Sequence, residues 1–255
     1  MTRTDRNLHR QLMLRLKELH LPMFREYYAS LANRAVQEEM SYSRYLYELA
    51  LKECEIRRAN KIQRLVKTSR LPLEKTLNTF NLKRLPLKLR QQVKILLEGD
   101  FVNRRENLLA FGKPGSGKTH LLCAICHELA RQGRRVYFSS CDLMVELLLR
   151  AKRDLELDKL LKKYARFEVI MIDDFGYVKQ EREEMEVLFT LLAHRYERGS
   201  LLLTSNLPFS KWEAIFKDPM TTAAAIDRLV HHCVILELNV PSYRAEEAKK
   251  RKGKG

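Results

Sequence analysis

Residues 107–119 read Asn-Leu-Leu-Ala-Phe-Gly-Lys-Pro-Gly-Ser-Gly-Lys-Thr, an apolar run that breaks into a glycine-rich loop and closes on Lys118-Thr119. From Gly112 to Thr119 the loop fits G-x-x-x-x-G-K-[ST], standing between an apolar strand and a helix that begins near His120. Glycines let such a backbone curl so that its N–H groups point inward at a polyphosphate, and the following helix N-terminus adds positive potential. Lys118 is then placed to reach the β- and γ-phosphates and Thr119 to hold Mg²⁺. Gly112, Pro114, Gly115, Ser116, Gly117, Lys118, Thr119 and His120 are thus candidate nucleotide-binding residues. A glycine-rich turn without a ligand is the alternative, and the strand-to-helix context argues against it.

Downstream of residue 105, short apolar runs alternate with longer helical stretches, the pattern of parallel βαβ units. The strands expected are Asn107–Phe111, Arg135–Ser139, Val169–Asp173, Leu201–Ser205 and Cys233–Leu238. They are apolar throughout rather than alternating, which predicts a five-stranded parallel sheet covered by helices on both faces, an α/β fold. Val169-Ile170-Met171-Ile172-Asp173-Asp174 ends in carboxylates beside the loop, where a doubly wound sheet gathers its ligands. Asp173 is expected to orient Mg²⁺ and Asp174 to polarise a water for attack on the γ-phosphate. Leu201-Leu202-Leu203-Thr204-Ser205-Asn206 ends another apolar strand, and a strand lying between the other two would aim Asn206 at the γ-phosphate. Ser-Asn after a strand is also an ordinary turn signal.

Asp227-Arg228-Leu229 follows an alanine-rich helical stretch, and Arg244 follows Ser242-Tyr243. Arginines late in such a chain can serve as a finger toward a neighbouring subunit's γ-phosphate or as a reporter of the chain's own nucleotide. Spacing alone does not assign them, and an ion pair such as Arg228 with Asp227 stands as the alternative.

Upstream, Leu12, Leu16, Leu19, Leu46, Leu49, Ile56, Ile62 and Leu65 recur at helical spacing, with Ser41 and Ser43 placed to cap the long run. Residues 1–70 are read as a basic helical module, 71–105 as a linker and the helix leading onward, 106–244 as the nucleotide-binding α/β domain, and 245–255 as a basic disordered tail. Lys52, Arg57, Arg58, Lys61, Arg64, Lys67 and Arg70 recur every three to four residues as a basic stripe, against Glu53 and Glu55. Arg57, Arg58, Lys61, Arg64 and Lys67 are the candidate DNA contacts; a solvated helix face reads the same way.

Lys+Arg 48 against Asp+Glu 32 gives a net charge of +16, which points to a polyanionic partner without saying which nucleic acid. Arg3, Asp5, Arg6, Arg10, Arg15 and Lys17 leave no apolar core for a signal peptide, and no window approaches the roughly 18 apolar residues of a membrane span. A cytoplasmic protein with no membrane partner is expected. The five cysteines are odd in number and scattered, and Cys123-x-x-Cys126 lies in an apolar helical run, so packing is expected there rather than a disulfide or zinc. His231 and His232 are read as packing or surface residues.

Taken together these segments resemble the IstB-like helper ATPases of insertion-sequence transposition, relatives of the DnaC helicase loader in the AAA+ group. The specific parts are Gly112 to Leu121, Ile172-Asp173-Asp174-Phe175-Gly176-Tyr177, Ser205-Asn206-Leu207-Pro208-Phe209-Ser210-Lys211-Trp212, Asp227-Arg228-Leu229-Val230-His231-His232, and Ser242-Tyr243-Arg244. The resemblance implies a P-loop NTPase with Walker A at Gly112 to Thr119, Walker B at Asp173 and Asp174, sensor I at Asn206, an arginine finger at Arg228 and sensor II at Arg244. It also implies ATP with Mg²⁺, residues 1–70 as a domain for DNA binding and assembly and 106–244 as an ATPase domain, ATP-promoted oligomers on duplex DNA, bending of that DNA, and recruitment of a partner transposase. Asp174 departs from the commoner Asp-Glu ending, which bears on hydrolysis rate rather than on binding. A DnaC-type helicase loader is the rival within the class; a P-loop small-molecule kinase, or a DNA-binding protein with an inert P-loop, is the rival outside it.

Overall fold

A computed structural model describes residues 3–176, 182–212, 219–243 and 246. The chain divides into two compact units, Met1–Arg64 and Leu65–Gly255. The first contains α1 (Arg3–Glu18), α2 (Pro22–Gln37) and most of α3 (Tyr42–Thr68). Pro22 opens α2, where its fixed φ and missing N–H cost nothing. Ser41 caps α3, its Oγ accepting from the Arg44 N–H at 3.3 Å. Glu53 is buried but satisfied: it accepts the Met23 N–H at 2.9 Å, an otherwise orphaned donor of the α2 first turn, and Arg57 Nε at 2.7 Å. Of the apolar residues at helical spacing, Leu16 and Leu49 are buried whereas Leu19 and Leu46 are 65% and 58% exposed. A few short helices offer too little surface to enclose the whole stripe, so the sequence periodicity overstates the core of this unit.

The second unit is built on a parallel sheet of β1 (Asn107–Gly112), β2 (Val136–Ser140), β3 (Val169–Asp173), β4 (Ser200–Ser205) and β5 (Cys233–Leu238), in the order β2-β3-β4-β1-β5. The expected five-stranded α/β sheet is therefore present, with β4 between β3 and β1. Leu108 pairs with Leu202 on one side and Val234 on the other, and β4 is buried along its whole length. The covering helices are α4 (Leu87–Glu98), the short α5 (Asp100–Asn103), α6 (Lys118–Arg131), α7 (Cys141–Arg153), α8 (Leu157–Tyr164), α9 (Arg182–Arg195) and α10 (Pro219–Val230). One cluster gathers α7, α8 and α9 against Ile170, Ile172, Leu201 and Leu203; a second gathers α6 against Leu108, Met171 and Leu202.

Residues 71–105 belong to this second unit, where Leu71, Leu85, Leu89, Val93 and Leu96 join the α6 cluster. By their contacts the two units divide after Arg64, and the segment ahead of α4 packs against α6 as a strap through Leu71 and Leu85.

Cys123 and Cys126 lie in α6 with their Sγ atoms 3.9 Å from the Met171 sulfur, and burial pushes the Cys123 thiol up to about 12. Both are packing residues, with thiols too reluctant to ionise for redox work. Arg195 is 1% exposed and donates to the carbonyls of Phe167 at 2.8 Å and Glu168 at 3.1 Å, and burial lowers its pKa to about 10. Gly199 makes room for it, since a Cβ there would meet Arg195 Nη2 at 2.0 Å.

Asn107 ties three elements together. Its Oδ1 accepts the Leu201 N–H at 2.8 Å and its Nδ2 donates to the Leu229 carbonyl at 3.0 Å. Asn107→Ala is expected to lower unfolding free energy by roughly 2 kcal/mol, because two buried backbone groups lose their partners. Urea unfolding of the full chain measures it, and an unchanged midpoint would refute the clamp.

Candidate nucleotide-binding site

The loop leaves β1 at Gly112 and enters α6 at Lys118. Gly115 and Gly117 hold φ of +78° and +95°, and a Cβ on Gly115 would stand 2.1 Å from Ser242 Oγ, so glycine is required there on two counts. The Gly115 carbonyl accepts the Tyr243 N–H at 2.9 Å, pinning the loop from the chain beyond β5. Lys118 Nζ donates to the carbonyls of Gly112 at 2.9 Å and Lys113 at 3.1 Å and to Asn206 Oδ1 at 2.5 Å. Ser116 Oγ is buried and has no hydrogen-bond partner among the described residues.

Because β4 separates β3 from β1, their C-terminal ends converge. Asp173 Oδ1 accepts from Thr119 Oγ1 at 2.7 Å and from Thr204 Oγ1 at 2.6 Å. The Thr204 hydroxyl in turn accepts the Asp174 N–H at 2.8 Å, and the Thr204 carbonyl accepts the Phe175 N–H at 2.8 Å. These bonds hold Asp174 in the left-handed region, at φ 56°, where an aspartate is tolerated better than most residues. The loop carrying Asn206 is anchored by Trp212, which is fully buried, donates from Nε1 to the Leu207 carbonyl at 3.1 Å and packs on Phe175 and Phe209 at 4.8 and 4.9 Å.

Pro114 through His120, Asp173, Asp174 and Asn206 line one cavity of about 360 Å³. Its remaining wall comes from the strap, through Lys75, Thr79, Phe80, Asn81, Arg84 and Leu85, and from Val240 and Tyr243. Arg84 stacks over the Tyr243 ring at 5.1 Å and donates to the Pro241 carbonyl at 3.1 Å and Glu246 at 2.8 Å. His120 Nε2 lies 3.0 Å from Thr79 Oγ1 and 3.1 Å from the Thr76 carbonyl. Burial, aided by Lys75, lowers its pKa against the opposing pull of that carbonyl.

Arg228 is not at this cavity. Its Nη1 donates to the Ala224 carbonyl at 3.0 Å, its guanidinium lies over Phe189 at 4.9 Å, and it lines a separate pocket with Arg104, Arg105 and Asn107, at the opposite end of β1 from the P-loop. Arg244, Tyr177, Ala245 and residues 247–255, and with them the sensor II and tail expectations, lie outside the described residues. Arg58, Lys61 and Arg64 are exposed on α3; Arg57 is engaged, donating to Glu53 and to the His20 carbonyl. Lys67 is exposed near the end of α3, in the second unit. His231 and His232 are exposed, their rings edge-to-face with centroids 4.1 Å apart, and their ligand atoms lie within 4.8 Å of one another and of Glu197.

Sequence reasoning missed Thr204 and the strap. A hydroxyl ending an apolar triplet in a buried strand was the available signal for Thr204, whereas nothing periodic in residues 75–85 marks them as a cavity wall.

A phosphate-binding loop between β1 and α6, an acidic end on β3, a polar end on β4 between them and the order β2-β3-β4-β1-β5 define a P-loop NTPase of the AAA+ group. A family model of the IstB-like ATP binding proteins matches residues 14–251, and the chain belongs to that family. It is 38% identical over 248 residues to a protein of Sinorhizobium fredii named as an insertion sequence ATP-binding protein, covering 96% of this chain and 83% of the relative. A protein of Geobacillus stearothermophilus named for insertion sequence IS5376 and ATP binding is 37% identical, covering 90% and 91%. The fold is similar to that of the DnaC helicase loader (TM-score 0.54, 18% identity, 65% of this chain and 97% of that one) and of Aquifex aeolicus DnaA with AMPPCP bound (0.56, 20%, 72% and 56%). No helix among the described residues is long and apolar enough to cross a membrane.

Thr204→Val keeps the shape of the side chain and removes the hydroxyl shared by Asp173 and Asp174. It is expected to cost roughly 1–2 kcal/mol of unfolding free energy, read by urea titration. Wild-type stability in this variant would show that the hydroxyl does not organise the site.

Proposed function

We propose that the chain is a Mg²⁺-dependent ATPase that assembles on duplex DNA and acts as a helper of transposition, recruiting or activating a partner transposase. The observation that carries the reading is the convergence of Lys118, Thr119, Asp173, Asp174 and Asn206 on one cavity, with Arg228 turned away from it. The relatives' names, which attach ATP binding to insertion sequences, favour transposition over helicase loading.

The residues fit ATP. Backbone N–H groups of the loop and the α6 N-terminus take the phosphates, and the buried Ser116 hydroxyl offers a polar atom for a phosphate oxygen. Lys118 exchanges its carbonyl partners for the β- and γ-phosphates. The Thr119 hydroxyl and Asp173 carboxylate are an all-oxygen donor pair suited to Mg²⁺, whose chemistry there is to neutralise charge on the β- and γ-phosphate oxygens. Asp174, held by Thr204, accepts a proton from the attacking water, while Asn206, hydrogen-bonded to Lys118, orients the γ-phosphate. ATP and water give ADP and phosphate. Asp174 is shorter than the commoner glutamate, so its water must stand closer.

Arg228 cannot serve the cavity of its own chain from the far end of β1, which supports a finger acting on a neighbouring subunit. Exposed Leu8, Tyr42, Leu46 and Tyr47 in the first unit support self-association, and exposed Arg58, Lys61 and Arg64 support contact with the DNA backbone.

Lys118→Ala is expected to abolish ATP binding and ATP-dependent assembly; retained assembly would overturn the reading. Arg228→Ala should bind ATP yet hydrolyse it at least about tenfold more slowly. Normal turnover in this variant would remove the finger assignment. Changing Arg58, Lys61 and Arg64 together to Ala should lower the salt slope of duplex binding by up to about 0.9 per lost contact, and an unchanged slope places the DNA site elsewhere. DNA-stimulated turnover without response to a transposase but with response to a replicative helicase would select the loader instead.

A further inference from the structure

The strap that closes the cavity is fastened to the P-loop helix by an arrangement that neither the motif nor the family assignment contains. His120 and His127 stand seven residues apart on α6, two turns along one face. His127 Nε2 lies 3.0 Å from the Pro72 carbonyl, and His120 Nε2 lies 3.1 Å from the Thr76 carbonyl and 3.0 Å from Thr79 Oγ1. A carbonyl oxygen only accepts, so each imidazole carries its proton on Nε2 and donates to the strap. Thr79 Oγ1 also donates to the Glu74 carbonyl at 2.6 Å and accepts the Thr76 N–H at 3.1 Å, closing residues 74–79 into a compact turn around the His120 contact. Phe80 follows at once. Its ring packs edge-on to His120 at 5.2 Å and passes over Gly117, where a Cβ would lie 3.1 Å from it.

We propose that His120 and His127 are positioning residues for the base side of the nucleotide pocket: they button residues 72–79 onto α6 and thereby fix the wall formed by Phe80, Asn81 and Leu85. The assignment rests on the reading of the cavity as an ATP site. It separates the two halves of that site by the elements that hold them. Phosphates are held by the loop and the strand ends, in a cavity that His127 does not line; the base is held by a strap that has little regular structure of its own and takes its position from α6. His127 is the informative member. It is 3% exposed and does not line the cavity, so any effect it has on the nucleotide passes through the strap.

Equilibrium binding of ATP and of inorganic tripolyphosphate, each with Mg²⁺, to the full chain tests this, because tripolyphosphate has no base to meet Phe80, Asn81 and Leu85. His127→Ala is expected to weaken ATP by about tenfold while changing tripolyphosphate by less than about twofold, the size of loss a displaced contact produces. His127→Gln keeps a donor for the Pro72 carbonyl and should recover most of the ATP affinity. Should His127→Ala fail to fold, Thr79→Val at an exposed position carries the same expectation. Equal losses for both ligands would overturn the proposal by showing that the histidines act on the phosphate loop. Unchanged ATP affinity in His127→Ala would overturn it by showing that the strap holds without its button. A wild-type chain binding tripolyphosphate as tightly as ATP would instead remove the base wall itself, and with it the reading on which the proposal stands.

Discussion

The carboxylate of Asp173 accepts hydrogen bonds from Thr119 and Thr204 at 2.7 and 2.6 Å, and through these it joins the ends of β3 and β4 to the first turn of α6. A sheet buried on both faces can place polar groups only at its strand ends, and here the adjacent ends of β3 and β4 each contribute one, with the first turn of α6 supplying the third. The shared oxygen sets the spacing of the rest. Thr204 holds the backbone of Asp174, Thr119 fixes the start of α6 relative to β3, and Lys118, next along that helix, meets Asn206 from the end of β4. Moving any one of these strands by a residue would turn its terminal side chain to the other face and break the set.

This constraint explains why so much was legible in the sequence. The apolar strands had to be continuous to be buried, so all five announced themselves to within a residue or so at each end. The loop glycines had to be glycine because the backbone there is left-handed and closely approached, and the acids and amide had to follow apolar runs directly. Two parts were not legible for related reasons. The strap owes its position to contacts with α6, and a segment held by tertiary bonds needs no period of its own, so nothing in residues 75–85 marked them as a cavity wall. In the first unit the helical spacing of Leu19 and Leu46 promised burial, but spacing records which face a residue is on and not whether anything covers that face. Arg57 illustrates the same limit among the charges, since it sits in the basic stripe yet serves the buried Glu53.

The two ends of the sheet carry different chemistry. At the C-terminal ends, oxygens and amides surround the P-loop; at the N-terminal end of β1, Arg104, Arg105 and Arg228 gather around Asn107. If copies associate as proposed, a phosphate-binding end and an arginine-rich end on one sheet suit a head-to-tail contact, because such contacts are heterologous and each copy offers one of each surface. Rings and open helices both satisfy that rule.

The fastening of the strap also determines where this chain can be cut and rejoined. α3 passes directly into the strap, so a graft that exchanged amino-terminal helices at the start of β1 would discard Phe80, Asn81 and Arg84 and leave the cavity without a side. A graft made before Leu65 would carry the histidine-bound segment along with its helix. The unit that carries the P-loop therefore begins some forty residues ahead of its first strand, and an exchange of amino-terminal helices that leaves the cavity whole has to be made within α3.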